Sequence, residues 1–289
     1  MCYFLYNMTR RIRRFIFLIF VVFFVATSAG IVLFAQGYRF DFNSLKVVKT
    51  GGIFINTSID GAKIYINDKY IGATSGILNY TTLVSGLTPK NYNIFVYKEG
   101  YYPWNKVVEV KNGMVVELNN IILFPLELKK VKVVETPSQT FSEFVINDGK
   151  LEIKNAKTKT VKTYNLTDGK LLTSEKFIPT ILPNEIVSPN KNKKLYLSNN
   201  KLWVDKDLIA EFESPVVFFD WFNDSEHLLW LNNNELTIAE LDNRGGKRNS
   251  VKYYLNINSP VFWDRNNSNF YFFDKTSKTD ILYKINLKV

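Results

Sequence analysis

From Phe15 to Ala35 the chain reads FIFLIFVVFFVATSAGIVLFA, 21 positions without an ionisable side chain. At about 1.5 Å of rise per residue this is a helix of roughly 30 Å, the thickness of a bilayer's hydrocarbon core. Phe and Val occupy every face of it, so the polar stripe of a half-buried soluble helix is missing. Beyond Gln36 the period falls from helical to alternating. Short apolar runs such as Gly52-Ile53-Phe54-Ile55, Ala62-Lys63-Ile64-Tyr65-Ile66, Tyr92-Asn93-Ile94-Phe95-Val96-Tyr97 and Lys106-Val107-Val108-Glu109-Val110 are divided by turn signals at Asp60-Gly61, Asn67-Asp68-Lys69, Pro89-Lys90-Asn91 and Lys98-Glu99-Gly100. The pattern predicts an all-β protein behind one transmembrane helix, with a small antiparallel β-sandwich first.

The predicted organisation is a basic tail over 1–14, the spanning helix over 15–35, a juxtamembrane linker over 36–46, the sandwich over 47–125 and a second β domain over 126–289. Leu128 to Val134 is strand-like and suits pairing with either module, and Thr136-Pro137-Ser138 is the expected linker between them. The second domain carries a loose repeat. Ser188-Pro189-Asn190 with Leu195-Tyr196-Leu197, Trp221-Phe222-Asn223-Asp224 with Leu228-Leu229-Trp230, and Trp263-Asp264-Arg265-Asn266 with Phe270-Tyr271-Phe272 each put a polar turn before a buried strand. Ser188, Trp221 and Trp263 lie 33 and 42 residues apart, and Phe144 to Ile153 reads as an earlier copy. A recurrence near 40 residues is propeller spacing, and three or four blades fit, as a small four-bladed ring, an open arc or a shortened relative of longer proteins; an ordinary sandwich is the alternative.

Gly61-Ala62, then Lys63 to Asn67 with Gly72, then Leu87-Thr88-Pro89-Lys90-Asn91-Tyr92, then Lys98-Glu99-Gly100-Tyr101-Tyr102-Pro103-Trp104 give the first module a likeness. It resembles a PEGA domain, a small extracytoplasmic sandwich seen in surface and S-layer-associated proteins, although Ile59-Asp60 stand where the tetrapeptide has Pro-Glu. The blades resemble WD40-like or Tol-B-type repeats of bacterial envelope proteins. The PEGA resemblance implies no catalysis and assigns structural roles to Gly61, Ala62, Gly72, Pro89, Gly100, Tyr101 and Trp104. Gly61 and Gly100 stand where turns want positive φ, and Tyr101 and Trp104 are expected to close the end of the sandwich, with the Trp104 N–H on a rim carbonyl. Tyr101, Tyr102 and Trp104 are also the candidate ligand contacts, as a stacking surface for carbohydrate.

Charge sets the orientation. The chain has 37 Lys plus Arg against 27 Asp plus Glu, a formal +10, and four of the positives are Arg10, Arg11, Arg13 and Arg14, directly before the helix. Positive residues stay inside, so the N-terminus is expected in the cytoplasm and the β domains outside. A small-x-small site at Thr27-Ser28-Ala29 leaves open a cleaved signal segment, which would make the protein secreted. The remaining surplus is scattered among Asn-Lys turns, so nucleic acid is not an expected partner.

Candidate chemistry is sparse. Cys2 is the sole cysteine and His227 the sole histidine, so no disulfide and no His/Cys zinc cluster is available, and neither a metal nor a cofactor is expected. Asp224-Ser225-Glu226-His227 holds the letters of a triad within one turn, where neighbouring side chains are expected to diverge. No nucleophile elbow, P-loop or dinucleotide fingerprint is present. The sequence therefore leads us to expect a non-catalytic, membrane-anchored binding or scaffold protein of the cell envelope, with cell-wall polysaccharide, surface-layer or envelope protein partners. An envelope carbohydrate-active hydrolase or a single-pass sensor is the alternative.

Overall fold

The computed structural model describes residues 10–41, 45–75, 80–176, 185–255, 257, 260–275 and 279–288. Cys2 and most of the basic tail lie outside the described residues. Helix α1 (Arg10–Ala35) is 26 residues long, passes through the arginine cluster and buries none of its side chains. It is long and apolar enough to cross a membrane. Its C-terminal carbonyls are met at once: the Gly37 N–H donates to Phe34 O at 3.1 Å, and Arg39 donates Nη1–H to the same carbonyl at 2.8 Å with its guanidinium 3.4 Å over the Phe34 ring. A cation there also faces the negative end of the helix dipole. The linker beyond is a hairpin, β1 (Tyr38–Asp41) with β2 (Lys46–Lys49).

The sandwich has seven strands: β3 (Gly51–Thr57), β4 (Lys63–Ile66), β5 (Lys69–Ala73), β6 (Tyr80–Leu87), β7 (Asn91–Tyr97), β8 (Trp104–Glu109) and β9 (Val115–Ile121). They form one sheet ordered β6-β3-β9 and another ordered β5-β4-β7-β8. Alternation puts Ile53 and Ile55 of β3 against Ile64, Ile94, Val96, Val108 and Leu118 in one closed core. The expected all-antiparallel sandwich is corrected at one place: β3 and β9 run parallel, with Gly52 opposite Val115 and Ile55 opposite Leu118. The reason is the order of the sheets. The chain reaches β9 by crossing from the second sheet, and a parallel pair needs such a crossover where a tight hairpin cannot serve.

The second domain is four antiparallel sheets of four strands each. After β10 (Lys130–Pro137), blade 1 is β11 (Glu143–Asn147), β12 (Lys150–Asn155), β13 (Thr160–Asn165) and β14 (Leu171–Lys176). Blade 2 is β15 (Glu185–Val187), β16 (Lys194–Ser198), β17 (Lys201–Val204) and β18 (Asp207–Glu211). Blade 3 is β19 (Phe218–Trp221), β20 (His227–Asn232), β21 (Glu235–Glu240) and β22 (Ser250–Tyr254). Blade 4 is β23 (Val261–Asp264), β24 (Asn269–Lys275) and β25 (Thr279–Asn286), and its outermost strand is β10. The expected linker at Thr136-Pro137 is thus the end of a strand paired with β25. The chain enters the domain by completing its last blade, which sets that blade beside the first: β11 lies against β23, and Phe144 packs edge-on to Phe273 with centroids 4.9 Å apart.

Hairpins turn on two residues of positive φ, Asp148-Gly149 (46° and 72°), Asn199-Asn200 (51° and 57°) and Asn233-Asn234 (48° and 62°), as the right-handed strand twist requires. Blades 2, 3 and 4 are laddered by indoles. Trp221 donates its N–H to Ile186 O at 2.9 Å, and Trp263 donates to Trp221 O at 3.0 Å. The repeat therefore aligns Ile186, two residues before the expected Ser188, with the two tryptophans. A second rung follows in the turns, where Ser225 Oγ accepts the Asn190 N–H and Ser268 Oγ accepts Asn223 Nδ2–H.

Candidate functional site

The sandwich is docked on blade 3, and the polar groups of the chain converge at that junction. Along β8 the inward positions are Trp104, Lys106 and Val108. An inward lysine must find charge, and it does: Lys106, with a fully buried side chain, sits 2.5 Å from Glu240 Oε1 and 3.2 Å from Asp242 Oδ2, and donates to the Asp242 carbonyl at 2.6 Å. Glu240 also accepts the Trp104 indole N–H at 2.9 Å and the Asn249 backbone and side-chain N–H groups at 2.9 and 2.8 Å. Burial pushes the Asp242 carboxyl up, but hydrogen bonds from Arg244 and the charges of Lys106 and Arg244 outweigh it and hold it at about 2. Arg244 ties back to the sandwich through Glu117 O at 3.1 Å, and Gly245, at φ 72°, lies so close to Val107 that a Cβ would stand 2.7 Å from its carbonyl oxygen.

The candidate contacts fall in and around this junction. Trp104 is 4% exposed and its N–H reaches a carboxylate of the other domain, which corrects the expected rim carbonyl. Tyr102 packs edge-on to Tyr253 and donates its hydroxyl to Lys252 O at 3.4 Å. Tyr253 in turn donates to Pro125 O at 2.6 Å, and burial pushes its phenol up. Tyr101 is half-buried beneath Lys98, whose ammonium lies 5.8 Å over the ring. Among the motif residues, Gly61 and Gly100 take φ of 67° and 82°, as turns demand, and Ala62 is buried with its N–H on Thr74 Oγ1 at 3.0 Å. Gly72 lies within β5 and Pro89 in the bend before β7.

Between sandwich and blade 3 opens a cleft of about 370 Å³, walled by Trp104, Glu117, Asn119, Asn120, Glu226, His227, Glu240, Asp242 and Arg244. At its floor the expected divergence of the Asp224–His227 turn is corrected. Asp224 Oδ1 accepts the N–H groups of Glu226 and His227 at 3.0 and 2.9 Å, curling the turn so that Oδ2 meets His227 Nδ1 at 2.5 Å. Burial pushes the Asp224 carboxyl up, yet the imidazole and the two amides prevail and hold it below its ordinary value. Ser225 and Glu226 do diverge, Ser225 to Asn190 and Glu226 to Lys193 at 3.2 Å. The His227 ring is 5% exposed and lies edge-on to Phe124 of the sandwich side and Phe222 of blade 3.

Elsewhere in the propeller Asp220 of β19 pairs with Arg265 beyond β23, its carboxyl pushed up by burial against the pull of the guanidinium. Among the described residues no group of three His, Cys, Asp or Glu side chains is placed to hold a metal ion. The interdomain cluster was not anticipated from the sequence, because Lys106 and Glu240 are 134 positions apart. The signal was the parity of β8, which makes Lys106 an inward position.

Among solved structures, the computationally designed Ika8 protein is similar over 68% of this chain and 56% of that one, at 11% identity and a TM-score of 0.23. The Myceliophteria thermophila Cps50 (Swd1) β-propeller domain is similar over 68% of this chain and 67% of that one, at 10% identity and a TM-score of 0.24. The chain spans just over half of the designed protein's length. No curated protein matches the chain. Residues 50–122 match the PEGA domain family, and the chain accordingly carries a PEGA domain between an apolar helix of membrane-spanning length and a propeller-like array of four blades.

Proposed function

We propose that the chain is a non-catalytic binding or scaffold protein of the cell envelope, anchored by α1 with its arginines in the cytoplasm and its β domains outside, and meeting cell-wall polysaccharide, surface-layer or envelope protein partners. The observation that carries this reading is the helix: 26 residues without one buried side chain, uncharged from Phe15 to Ala35 behind its arginines, it is followed by a PEGA domain. The ion-paired junction supports a scaffold role, since it couples the PEGA domain to blade 3 and presents the two as one body. A carbohydrate-active hydrolase would need two carboxyl groups across the cleft with one kept protonated, whereas Glu240 and Asp242 share a lysine and Asp242 is held at about 2.

Two experiments test the reading. Protease added to intact cells should remove the β domains and leave the amino-terminal stub protected; domains untouched until lysis would overturn the orientation. Purified wall polymer and envelope extract should retain the protein, and retention no better than that of an unrelated basic β protein would overturn the binding role.

A further inference from the structure

The cleft above His227 has the makings of a ligand site. His227 is nine-tenths buried, with Nδ1 committed to Asp224. Among the described residues its Nε2 makes no hydrogen bond, and it is not one of the sealed polar atoms without a partner, which are Ser58 Oγ and Arg265 Nε. Nε2 therefore keeps an opening, and His227 lines both the 370 Å³ cleft and a 30 Å³ void beside Phe124. A buried ring nitrogen held in place on one side and free on the other is poised to bond a guest.

The charges around it limit what that guest is. Glu240 is balanced by Lys106, Asp242 by Arg244 and Lys106, and Glu226 by Lys193. An anion or a cation entering the inner cleft would have to break a pair already made, and Glu117, which makes no ion pair among the described residues, is an exposed rim side chain that already accepts the Asn119 amide at 3.0 Å, so a neutral ligand is favoured. The hydrogen-bonding groups are of both kinds: the carboxylates of Glu117 and Glu226 accept, while the amides of Asn119 and Asn120 and the Arg244 guanidinium donate. With Nδ1 held by the Asp224 carboxylate, Nε2 is the ring nitrogen left to meet a guest, and a hydroxyl, which both donates and accepts, can bond it whichever role the nitrogen takes. Hydroxyl groups satisfy both kinds of wall at once, and the volume lies in the lower part of the range of small-molecule sites, roughly 300–1,000 Å³.

We infer that the cleft between the PEGA domain and blade 3 binds a neutral saccharide unit, with a sugar hydroxyl bonded to His227 Nε2 and others bridging Glu117, Asn119 and Arg244. This rests on the envelope-binding reading and gives it a site that shares Trp104 with the expected stacking surface but leaves out Tyr101 and Tyr102.

Because His227 is the sole histidine, its imidazole gives one set of nitrogen signals in the full chain. Histidine-labelled protein in detergent micelles is titrated with cellotriose and chitotriose as neutral probes, spermidine as a cation and inorganic phosphate as an anion. At least one sugar should move the Nε2 resonance saturably, while spermidine and phosphate leave it unmoved. By calorimetry His227→Phe, which keeps the ring packing, and Asn119→Ala, on the exposed wall, should each weaken that sugar tenfold or more. No shift with either sugar, a shift with an ion only, or unchanged sugar affinity in both variants overturns the inference. Retention on wall polymer by the wild type and His227→Phe alike, without a titratable cleft, would overturn the site and leave the envelope reading standing; loss of polymer retention by the wild type would remove that reading itself.

Discussion

Replacing Lys106 by Met tests whether the junction is held by charge. The substitution keeps an unbranched aliphatic stem of similar reach and removes the ammonium between Glu240 and Asp242. Leaving a buried carboxylate without its counter-ion costs about 3–5 kcal/mol. Glu240 would keep three donors, the Trp104 indole and two from Asn249, and Asp242 would keep Arg244, which places the expected loss near the low end, roughly 3 kcal/mol. With a urea m-value at the top of the usual range, about 3 kcal/mol/M, the midpoint falls by about 1 M. Unfolding should also separate into two steps, as the PEGA domain and the propeller lose their coupling. Adding Glu240→Gln removes the stranded charge and should recover more than half of the loss. A midpoint lowered by less than about 0.3 M, corresponding to under about 1 kcal/mol, would show that water already solvates the ammonium, and the buried-pair account would fail.

Other expectations concern the ladder, the interface turn and acid stability. Trp263→Phe keeps a ring against Phe222 but orphans the Trp221 carbonyl, for a loss of about 1–3 kcal/mol, while Trp221→Ala, at a fully buried position, should cost about 3–5 kcal/mol; no loss for Trp263→Phe in urea unfolding would deny the indole its bonding role. Gly245→Ala sets a Cβ 2.7 Å from the Val107 carbonyl at φ 72°, so hydrogen exchange along β8 should quicken, and unchanged exchange would show that the turn does not clamp the strand. Asp242 is depressed from 3.8 to about 2, so its contribution is complete above about pH 3.8 and fades as pH falls toward 2. Asp242→Asn should therefore flatten the stability curve across that window, and a curve parallel to the wild type would rule the linkage out.

The strands and hairpins were legible because alternation and Asn or Gly turns are local properties. Ile53, Ile64 and Ile94 announce their faces, and Asp148-Gly149 and Asn233-Asn234 announce their turns. The blade repeat was legible through Trp221 and Trp263, whose spacing reflects the indole ladder, but the weaker copy at Ile186 lacks an indole to mark it. Two features were hidden because they join distant stretches. β10 reads as an ordinary strand, and nothing in Lys130 to Pro137 says that its partner is β25 at the far end of the chain. The cleft is assembled from the end of the PEGA domain and the turns of blade 3, and Asp224 was discounted because a sequence gives neighbours but not the curl that brings Oδ2 to the imidazole.

The way β10 closes blade 4 decides how force would travel through the molecule. A pull along the chain from α1 passes through the PEGA domain and enters the propeller by a strand clasped lengthwise against β25, from Lys130 opposite Ile285 to Pro137 opposite Thr279. Because Lys130 and Ile285 stand at the same end of this antiparallel pair, a pull between α1 and the segment after β25 would part its backbone bonds one after another from that end, and the Lys106 contact offers the load a parallel path into blade 3 that shields them.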